Sequence, residues 1–282
     1  MKIKLDCFPC LFRQTLKTAR VATDDEKIIR VIMNYYAQLV PEISQEITSP
    51  EVAGRVQKKL REIAGQDDPY HEYKQKNIEL ALSYYPEVKK IVEEAEEPLA
   101  AALVISALGN TMDAGVDLEM DVEKNIKQAA RQKFAKTEFD LFRKKLDKSE
   151  KVIFIADNAG EAVFDKLLLE VLNRYGVEIT YAVREEPILN DVTVSEARQV
   201  GIDEIGEIVS TGNSAPGLIL KQTSAEFKDI YRQADLRISK GQGNLECLTE
   251  AEEEFFFLLK AKCGIVADFL GVEMGELVFV SQ

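Results

Sequence analysis

The sequence predicts an α/β protein in which an N-terminal all-helical domain, residues 1–147, packs on a C-terminal Rossmann-like three-layer α/β/α domain, residues 148–282. In the first half, apolar residues recur at helical spacing, as in DDEKIIRVIMNYYAQLVPEI. From Lys151 onward, short apolar runs alternate with helical stretches, which is typical of a mostly parallel sheet covered on both faces. The charged run RKKLDKSEK, residues 143–151, is the expected boundary.

The individual elements follow from the same patterns. Helices are expected over residues 24–43, 51–64, 71–95, 98–116 and 121–147, with helix starts at Thr23, Ser49 and Asp68. Strands are expected in KVIFIAD, EITYAVR, GEIVST, DLRISKG, KCGIVAD and ELVFVSQ.

Composition and charge exclude several kinds of protein. The chain has 282 residues, 46% of them hydrophobic, with only 15 Gly and 8 Pro, so it is expected to be globular. Its net charge of -13 disfavours duplex nucleic acid as a partner, because phosphate binding depends on Lys and Arg. No apolar run approaches the ~18 residues of a membrane span, and the sequence MKIKLDCFPC lacks the features of a signal peptide. We therefore expect no membrane partner and a cytoplasmic location.

The chain contains one histidine, His71. Ser-His-Asp triads, Cys-His pairs and multi-histidine zinc sites would all have to include this residue, which is expected at a solvated helix start. The chemistry is therefore expected to depend on carboxylates, amides, lysine and an oxygen-ligated metal.

Polar or glycine-rich turns follow four of the predicted strands. They are Asp157-Asn158 with Gly160-Glu161, then Asn190-Asp191, then STGNSAPG, and finally SKGQGNLE. Ligands of an open parallel sheet bind beyond the carboxyl ends of its strands, so these turns should converge. Each turn also has a plainer explanation, because Asp157, Asn158 or Asp191 could cap the next helix and the glycine-rich sequences could be ordinary turns.

Taken together, these residue types favour a site for a phosphate ester. Two carboxylates and an amide form a hard-oxygen set suited to Mg or Mn and workable for Ni or Co. Lys240, followed by glycines, suits a phosphate group. A dinucleotide-binding interpretation of GQGNLE is weak, because the third glycine of that motif is missing.

Motifs across the chain resemble the DUF89 family, the metal-dependent damage-control phosphatases. The motifs are DNAGE, PILND, TGNSAPG, SKGQGN followed by Glu246, the terminal KC..VA..LGV, DPY..YK at 68–74 and LGNTMDAG at 108–115. The CFPC sequence, which contains Cys7 and Cys10, looks like the CxxC signature of the stand-alone microbial subfamily.

The resemblance implies a phosphatase that hydrolyses phosphomonoesters of small metabolites. Its substrates would be sugar phosphates, damaged or side-product phosphometabolites and, as a further class, nucleotides. It implies that a divalent ion (Mn, Ni, Co or Mg) is bound by Asp157, Asn158 and Asp191. The residues implied to hold the substrate are Gly212, Asn213, Ser214, Lys240, Gly241, Gly243 and Asn244. Asp157, Glu161 and Lys240 would be catalytic, with Asp157 and Glu161 both open as the group that transfers a proton.

Two further groups of residues have alternative interpretations. Asn110 and Asp113 are expected either to contact the sugar or base portion of the substrate or to form a buried polar contact between helices. The four cysteines, Cys7, Cys10, Cys247 and Cys263, could form a redox pair, a disulfide, part of a structural metal site or buried core thiols.

Two other functions remain open from the sequence. A Rossmann-like sheet with a glycine-rich loop also suits an S-adenosylmethionine-dependent methyltransferase, which needs no divalent ion. A non-catalytic phosphometabolite-binding protein would bind ligand without releasing phosphate. An aspartyl-phosphate mechanism is disfavoured, because the first strand ends in Asp157-Asn158-Ala159 rather than DxD.

Overall fold

The computed structural model describes residues 1–109 and 133–282, and within these residues it confirms the α/β fold class. The α-helices are α1 Cys7–Ala22, α2 Glu26–Leu39, α3 Ser49–Ala64, α4 His71–Glu93, α5 Pro98–Leu108, α6 Phe139–Leu146, α7 Ala162–Asn173, α8 Val194–Gln199, α9 Ala225–Gln233, α10 Gln242–Leu248 and α11 Gly264–Leu270. The strands are β1 Lys136–Thr137, β2 Lys151–Ile155, β3 Glu178–Val183, β4 Glu207–Ser210, β5 Leu236–Lys240, β6 Phe256–Lys260 and β7 Leu277–Ser281.

The strands form a seven-stranded sheet with the order β1-β7-β6-β5-β2-β3-β4. The pairs β6–β5, β5–β2, β2–β3 and β3–β4 are parallel, whereas β7 is antiparallel to β6. Strand β2 lies between β3, which follows it in the chain, and β5, which comes much later. The carboxyl ends of β5, β2 and β3 are therefore neighbours at a point where the strand order reverses, and such points bind ligands in open α/β sheets.

One predicted strand is wrong, and another was missed. Most of KCGIVAD, residues 262–268, lies in helix α11, Gly264–Leu270, and the strand that precedes it is β6, Phe256–Lys260. The residues of β6 are buried on both sides except at Lys260, so the run shows no alternation. A short apolar run buried on both faces cannot be distinguished from a buried helix by periodicity alone, which explains the error.

The two faces of the sheet bury separate cores. In β2, Val152 and Phe154 belong to the core shared with α4, α5, α6 and α7. Ile153 and Ile155 point to the opposite face, where α9, α10 and α11 pack. This alternation is the two-residue period of a strand and produces three layers. Helices α1, α2 and α3 form a third core of their own.

The division into domains at residues 147 and 148 stays a prediction. Two features of the first half nevertheless differ from a purely helical domain. Strand β1, which has exposed residues and no apolar pattern to reveal it, pairs with β7. Helices α4 and α5 share their apolar core with the sheet. Within the described ranges, no helix is both long and apolar enough to cross a membrane.

The predicted helix starts are accurate to within a few residues. Helix α3 begins after Thr48, whose side chain forms a reciprocal capping box with Glu51. Helix α2 is capped by Asp25 instead of Thr23. His71 is exposed at the first position of α4, as expected.

The packing of α6 gives a test of this architecture. Phe142 is fully buried and makes edge contacts with Phe256 and Phe279 of the sheet. We expect Phe142→Ala to lower the free energy of unfolding by about 3–5 kcal/mol, because it leaves a cavity under the sheet. The control is Leu141→Ala on the same helix, at a residue that is 38% exposed, which should change it by no more than about 0.5 kcal/mol. Urea unfolding of both variants measures the difference, and equal effects would contradict the packing described.

Candidate active site

Asp157 and Asn158 lie directly beyond β2, at the reversal point of the sheet. Asn158 forms an isolated antiparallel bridge with Asp191, and the N–H of Val192 donates to the carbonyl of Asp157 at 2.9 Å. The turns that follow β2 and β3 are therefore fastened to each other through their backbones. The convergence expected from parallel strand ends is thus seen for these residues.

The loop that carries Asp191 is held in an unusual conformation. Leu189 has a φ of 48°, a region that costs a non-glycine residue roughly 1–3 kcal/mol. Arg61 of α3 braces the start of the same loop: it donates to the carbonyl of Pro187 at 3.0 Å and pairs with Glu186 at 2.5 Å. The first half of the chain thus helps to position Asp191.

None of the three predicted metal ligands is a helix cap. Helix α7 has Glu161 at its N-cap position, without a capping side-chain hydrogen bond. Helix α8 is preceded by Thr193, whose N–H donates to the Glu196 carboxylate at 3.0 Å. The plainer interpretation of Asp157, Asn158 and Asp191 therefore does not apply in the structure.

The side chain of Asn158 has a fixed orientation. Its Nδ2 group donates to Asp157 Oδ2 at 3.0 Å and to Glu161 Oε1 at 2.6 Å. Because the two N–H donors are directed at carboxylates, the amide oxygen is the atom that can face a cation. This orientation suits the predicted ligand role of Asn158.

Lys240 lies at the centre of a buried polar network. Its Nζ contacts the carbonyl and the hydroxyl of Ser106 at 2.7 and 2.9 Å, Asp165 Oδ1 at 2.8 Å and Glu161 Oε2 at 2.8 Å. Asp165 also accepts a hydrogen bond from the hydroxyl of Tyr181 at 2.9 Å. An ammonium group has three donors, so these oxygens already occupy it. The direct phosphate contact expected for Lys240 stays a prediction, but its ammonium is committed to protein atoms.

Gly241 allows Asp157 to lie against the loop that follows β5. Its φ is 84°, and a Cβ atom there would come within 2.1 Å of Asp157 Oδ2. Any side chain would therefore displace the carboxylate as well as strain the backbone.

The glycine-rich loop, residues 211–217, is held by its own side chains. Gly212 has a φ of 68° and packs against Ser224. Asn213 is buried and donates through Nδ2 to the carbonyl of Gly217 at 2.8 Å. Gly243 lets α10 approach the loop, since a Cβ there would come within 2.1 Å of the Pro216 carbonyl. The substrate contacts predicted for Gly212, Asn213 and Gly243, and for the half-buried Ser214, stay predictions.

Asn244 connects four parts of the site. Its Nδ2 donates to the carbonyls of Ala156 at 3.0 Å and Lys240 at 2.7 Å. Its Oδ1 accepts from the N–H of Leu218 at 2.8 Å and from Arg184 at 2.9 Å. These contacts use both amide donors and both acceptor positions. The predicted substrate contact of Asn244 is untested, and the structure shows its side chain tying β2, β5 and the glycine-rich loop together.

Burial changes the acidity of the predicted ligands. Burial, together with the nearby Asp191 and Glu161 carboxylates, raises the pKa of Asp157 to about 8. Burial also raises the pKa of Asp191, although the Arg184 guanidinium acts in the opposite direction. Burial alone would lower the pKa of Lys240, but Asp165 and Glu161 raise it above its ordinary value.

Sequence reasoning missed three buried members of the site. They are Arg184, Asp165 and Ser106. Arg184 directly follows β3 and donates through Nε to Asp191 Oδ2 at 2.8 Å. Its position one residue beyond a strand end is a signal that could have identified it. Asp165 and Ser106 lie inside apolar helices, where only the fold shows that they face Lys240.

The buried charges do not balance among the described residues. Four buried carboxylates surround the site, Asp157, Glu161, Asp165 and Asp191, and we call them the carboxylate cluster. The buried cations that pair with it are Lys240 and Arg184. With all six ionised, negative charges would exceed positive ones by two, and without a cation the raised pKa of Asp157 offsets part of this excess by keeping that carboxyl protonated at neutral pH. A divalent cation would balance this excess, so these residues fit such an ion.

The described residues contain no set of three His, Cys, Asp or Glu side chains with the arrangement of a metal site. The predicted ligand set contains two carboxylates and one amide, Asn158. It therefore has only two residues of these four types and falls below a group of three. Its fit to a hard cation rests on the orientation of Asn158 and on the excess buried charge.

Other predicted residues lie outside this network. Asn110 and Asp113 fall outside the described residues, so their contacts stay predictions. All four cysteines are free thiols, and no disulfide joins Cys7 to Cys10. A cavity of about 300 Å³ lined by Lys58, Arg61, Glu62, Asp67 and Glu186 lies beside the Asp191 loop and includes none of the predicted site residues.

Comparisons with known proteins identify the family to which the whole chain is similar. A family model described as the damage-control phosphatase ARMT1-like domain matches residues 3–278. A damage-control phosphatase of Pyrococcus horikoshii is 36% identical over 99% of this chain and 97% of its own length. One of Archaeoglobus fulgidus is 34% identical over 99% of this chain and 98% of its own. An uncharacterised protein of Methanocaldococcus jannaschii is 34% identical over 100% of this chain and 96% of its own.

A solved structure shares the whole fold. The crystal structure of a DUF89 family protein from Pyrococcus horikoshii superimposes with a TM-score of 0.91, at 32% identity, covering 99% of both chains. The fold class and the family resemblance are confirmed. The CxxC subfamily stays a prediction.

The contact between Gly241 and Asp157 leads to a test of the site's geometry. We expect Gly241→Ala to lower the free energy of unfolding by about 2 kcal/mol or more, because it combines a positive φ with displacement of a buried carboxylate. Gly264→Ala is the control, since a Cβ at Gly264 meets no atom within 4 Å. Chemical denaturation should show a large loss for the first variant and almost none for the second. Similar stabilities would show that Asp157 does not lie against Gly241.

The raised pKa of Asp157 predicts how stability depends on pH. An aspartate in the unfolded chain loses its proton near pH ~4. In the folded protein the pKa is about 8, so the folded state binds more protons between these values. Stability in chelator should therefore fall as pH rises through this window, by up to about 1.4 kcal/mol per pH unit.

The variant Asp157→Asn isolates this effect, because it keeps the shape of the side chain and removes the titration. Its stability should fall less steeply than that of the wild type between pH 5 and 8. Denaturant unfolding at several pH values compares the two slopes, and equal slopes would contradict the prediction.

Proposed function

We propose that this chain, which belongs to the family of damage-control phosphatases with an ARMT1-like domain, hydrolyses phosphate monoesters of small metabolites with a divalent metal ion. The observation that carries the proposal is the excess of buried carboxylates, four, over the buried cations that pair with them, two, among the described residues. Such an excess is costly in a protein interior unless a cation is present. The resemblance names Mn, Ni, Co and Mg, and we propose one of these.

Asp157, Asn158 and Asp191 would hold the ion beyond β2 and β3. When bound, such an ion polarises a phosphoryl oxygen and lowers the pKa of a bound water. Asp191 is oriented by the Arg184 guanidinium, and Asn158 is oriented by its donation to Asp157 and Glu161. Groups behind the ligands that fix their orientation in this way are typical of metal sites.

We propose that Glu161 transfers the proton and that Lys240 positions it. Glu161 accepts hydrogen bonds on both oxygens, from Asn158 and Lys240, and therefore has a single orientation beside the ligands. Asp157 would be engaged as a ligand. Lys240 is a positioning residue in this proposal, because its ammonium contacts protein oxygens. We therefore propose Glu161 rather than Asp157 as the group that transfers the proton.

The glycine-rich loop and the turn after β5 supply the remaining part of the proposed site. The N–H groups of Gly212 and Gly241 donate to Ser210 Oγ at 3.1 Å and to the carbonyl of Leu258 at 3.2 Å, so Ser214 is the residue of the loop proposed to receive the phosphate of the substrate. Sugar phosphates and damaged or side-product phosphometabolites are the proposed substrates. The cytoplasmic location and the absence of nucleic-acid partners remain predictions from the sequence.

Phosphate release is the direct test of this function. We expect the purified protein to release phosphate from an aryl phosphate and from members of a sugar phosphate and nucleotide panel after Mg, Mn, Co or Ni is added, and not in chelator. Asp157→Ala should lose this turnover, because it removes a ligand. Glu161→Gln should retain stabilisation by the metal but lose at least ~100-fold in kcat, the usual contribution of proton transfer.

Asp229→Ala is the control, since Asp229 is an exposed residue paired only with Arg232 on the surface. It should leave kcat unchanged. No phosphate release with any metal would refute the proposal. Binding of S-adenosylmethionine in chelator would then favour the methyltransferase, whereas metal-dependent ligand binding without turnover would favour a binding protein.

A further inference from the structure

Arg184 is a buried cation with an unused donor. Its side chain is 1% exposed. Nε donates to Asp191 Oδ2 at 2.8 Å, and Nη2 donates to Asn244 Oδ1 at 2.9 Å. Nη1 is buried and has no hydrogen-bond partner. A buried guanidinium nitrogen without a partner is costly, so its retention calls for an explanation.

The other buried cations of the described chain differ from Arg184. Lys240 contacts four oxygens, and Lys74 pairs with Asp68 at 2.6 Å and with Glu196 at 2.5 Å. Both ammonium groups have their charge satisfied within the protein. Arg184 therefore offers a charged donor that the fold itself leaves unused.

The position of Arg184 indicates what this donor could bind. One of its partners, Asp191, is a proposed metal ligand. The other partner, Asn244, is bonded to Leu218, directly after the glycine-rich loop. The guanidinium group therefore lies between the proposed metal ligands and the proposed phosphate loop. A planar guanidinium is well suited to phosphate oxygens.

We infer that Arg184 is a substrate-binding residue whose Nη1 donates to a non-bridging oxygen of the bound phosphate ester. The inference rests on the proposed function and assigns to Arg184 the cationic contact that the sequence had suggested for Lys240. Hydrogen bonds at Nε and Nη2 fix the plane of the guanidinium before substrate arrives. A donor held in place in this way needs no reorganisation when negative charge develops on the phosphoryl oxygens.

The variant Arg184→Lys tests the inference, because it keeps a positive charge that can pair with Asp191 and removes Nη1. We expect KM for an aryl phosphate and the inhibition constant of inorganic phosphate to rise roughly ten- to a hundred-fold, the range for a hydrogen bond to a charged group. The rise in melting temperature caused by Mn²⁺ should be retained. Arg237→Lys is the matched control: Arg237 also has a buried unpartnered nitrogen, but it packs on Tyr231, outside the site. It should leave all three quantities unchanged.

A second variant covers the case in which lysine does not fit. In Arg184→Ala, added methylguanidinium should restore part of the lost turnover, and methylammonium should not. Failure of rescue together with normal phosphate inhibition in Arg184→Lys would overturn the inference. Loss of the Mn²⁺ effect with unchanged phosphate inhibition would also overturn it, because Arg184 would then act only through Asp191.

These outcomes separate the inference from the proposed function. If the wild type turns over substrate and Arg184→Lys matches it in KM and phosphate inhibition, the inference fails while the function stands. If the wild type releases no phosphate but binds inorganic phosphate in calorimetry, and Arg184→Lys binds it more weakly, the function fails and the inference stands. Absence of both turnover and phosphate binding overturns both.

Discussion

The site depends on one buried ammonium group, that of Lys240. Lysine at the end of β5 brings together the end of α5 through Ser106, the start of α7 through Asp165, and Glu161. Its positive charge is what allows two carboxylates to be buried side by side. Replacing one member of such a buried ion pair typically costs about 3–5 kcal/mol, because the remaining charge is left unpaired. The geometry of the proposed catalytic groups therefore rests on an interaction whose first effect is on the fold.

The sequence predicted the convergence of the site better than the contacts within it. Parallel strands place their carboxyl ends along one edge, so the proximity of Asp157, Asn158 and Asp191 followed from the strand pattern alone. The direction of Lys240 did not follow, because it depends on where α5 packs. The resemblance assigned Asn244 to substrate binding, which stays a prediction, and only the fold shows that its amide joins separate elements. Strand β6 was missed because a run buried on both faces lacks the alternation of a half-exposed strand.

Two features of the proposed binding site lower the stability of the folded protein. The carboxylate cluster has more carboxyl groups than its two buried cationic partners can neutralise, and burial beside the other carboxylates raises the pKa of Asp157. Leu189 holds a conformation that a leucine rarely adopts. Both features cost free energy in the isolated chain. Strain and unbalanced charge gather at functional sites because the surrounding structure imposes them. Here the three apolar cores supply the stability that tolerates these costs.

The burial of helix α5 has a consequence for how the chain folds while it is being synthesised. Most of its residues, from Leu99 to Leu108, are buried, including apolar ones on nearly every side. Its covering partners, α7 and the sheet, come later in the chain, and a ribosome adds residues from the N-terminus. The nascent chain therefore carries an apolar helix that only α4 covers in part until α7 and β6 have left the ribosome. During synthesis, α5 is the segment that a chaperone would protect, and Lys240 joins Ser106 at its end before β6 completes its burial.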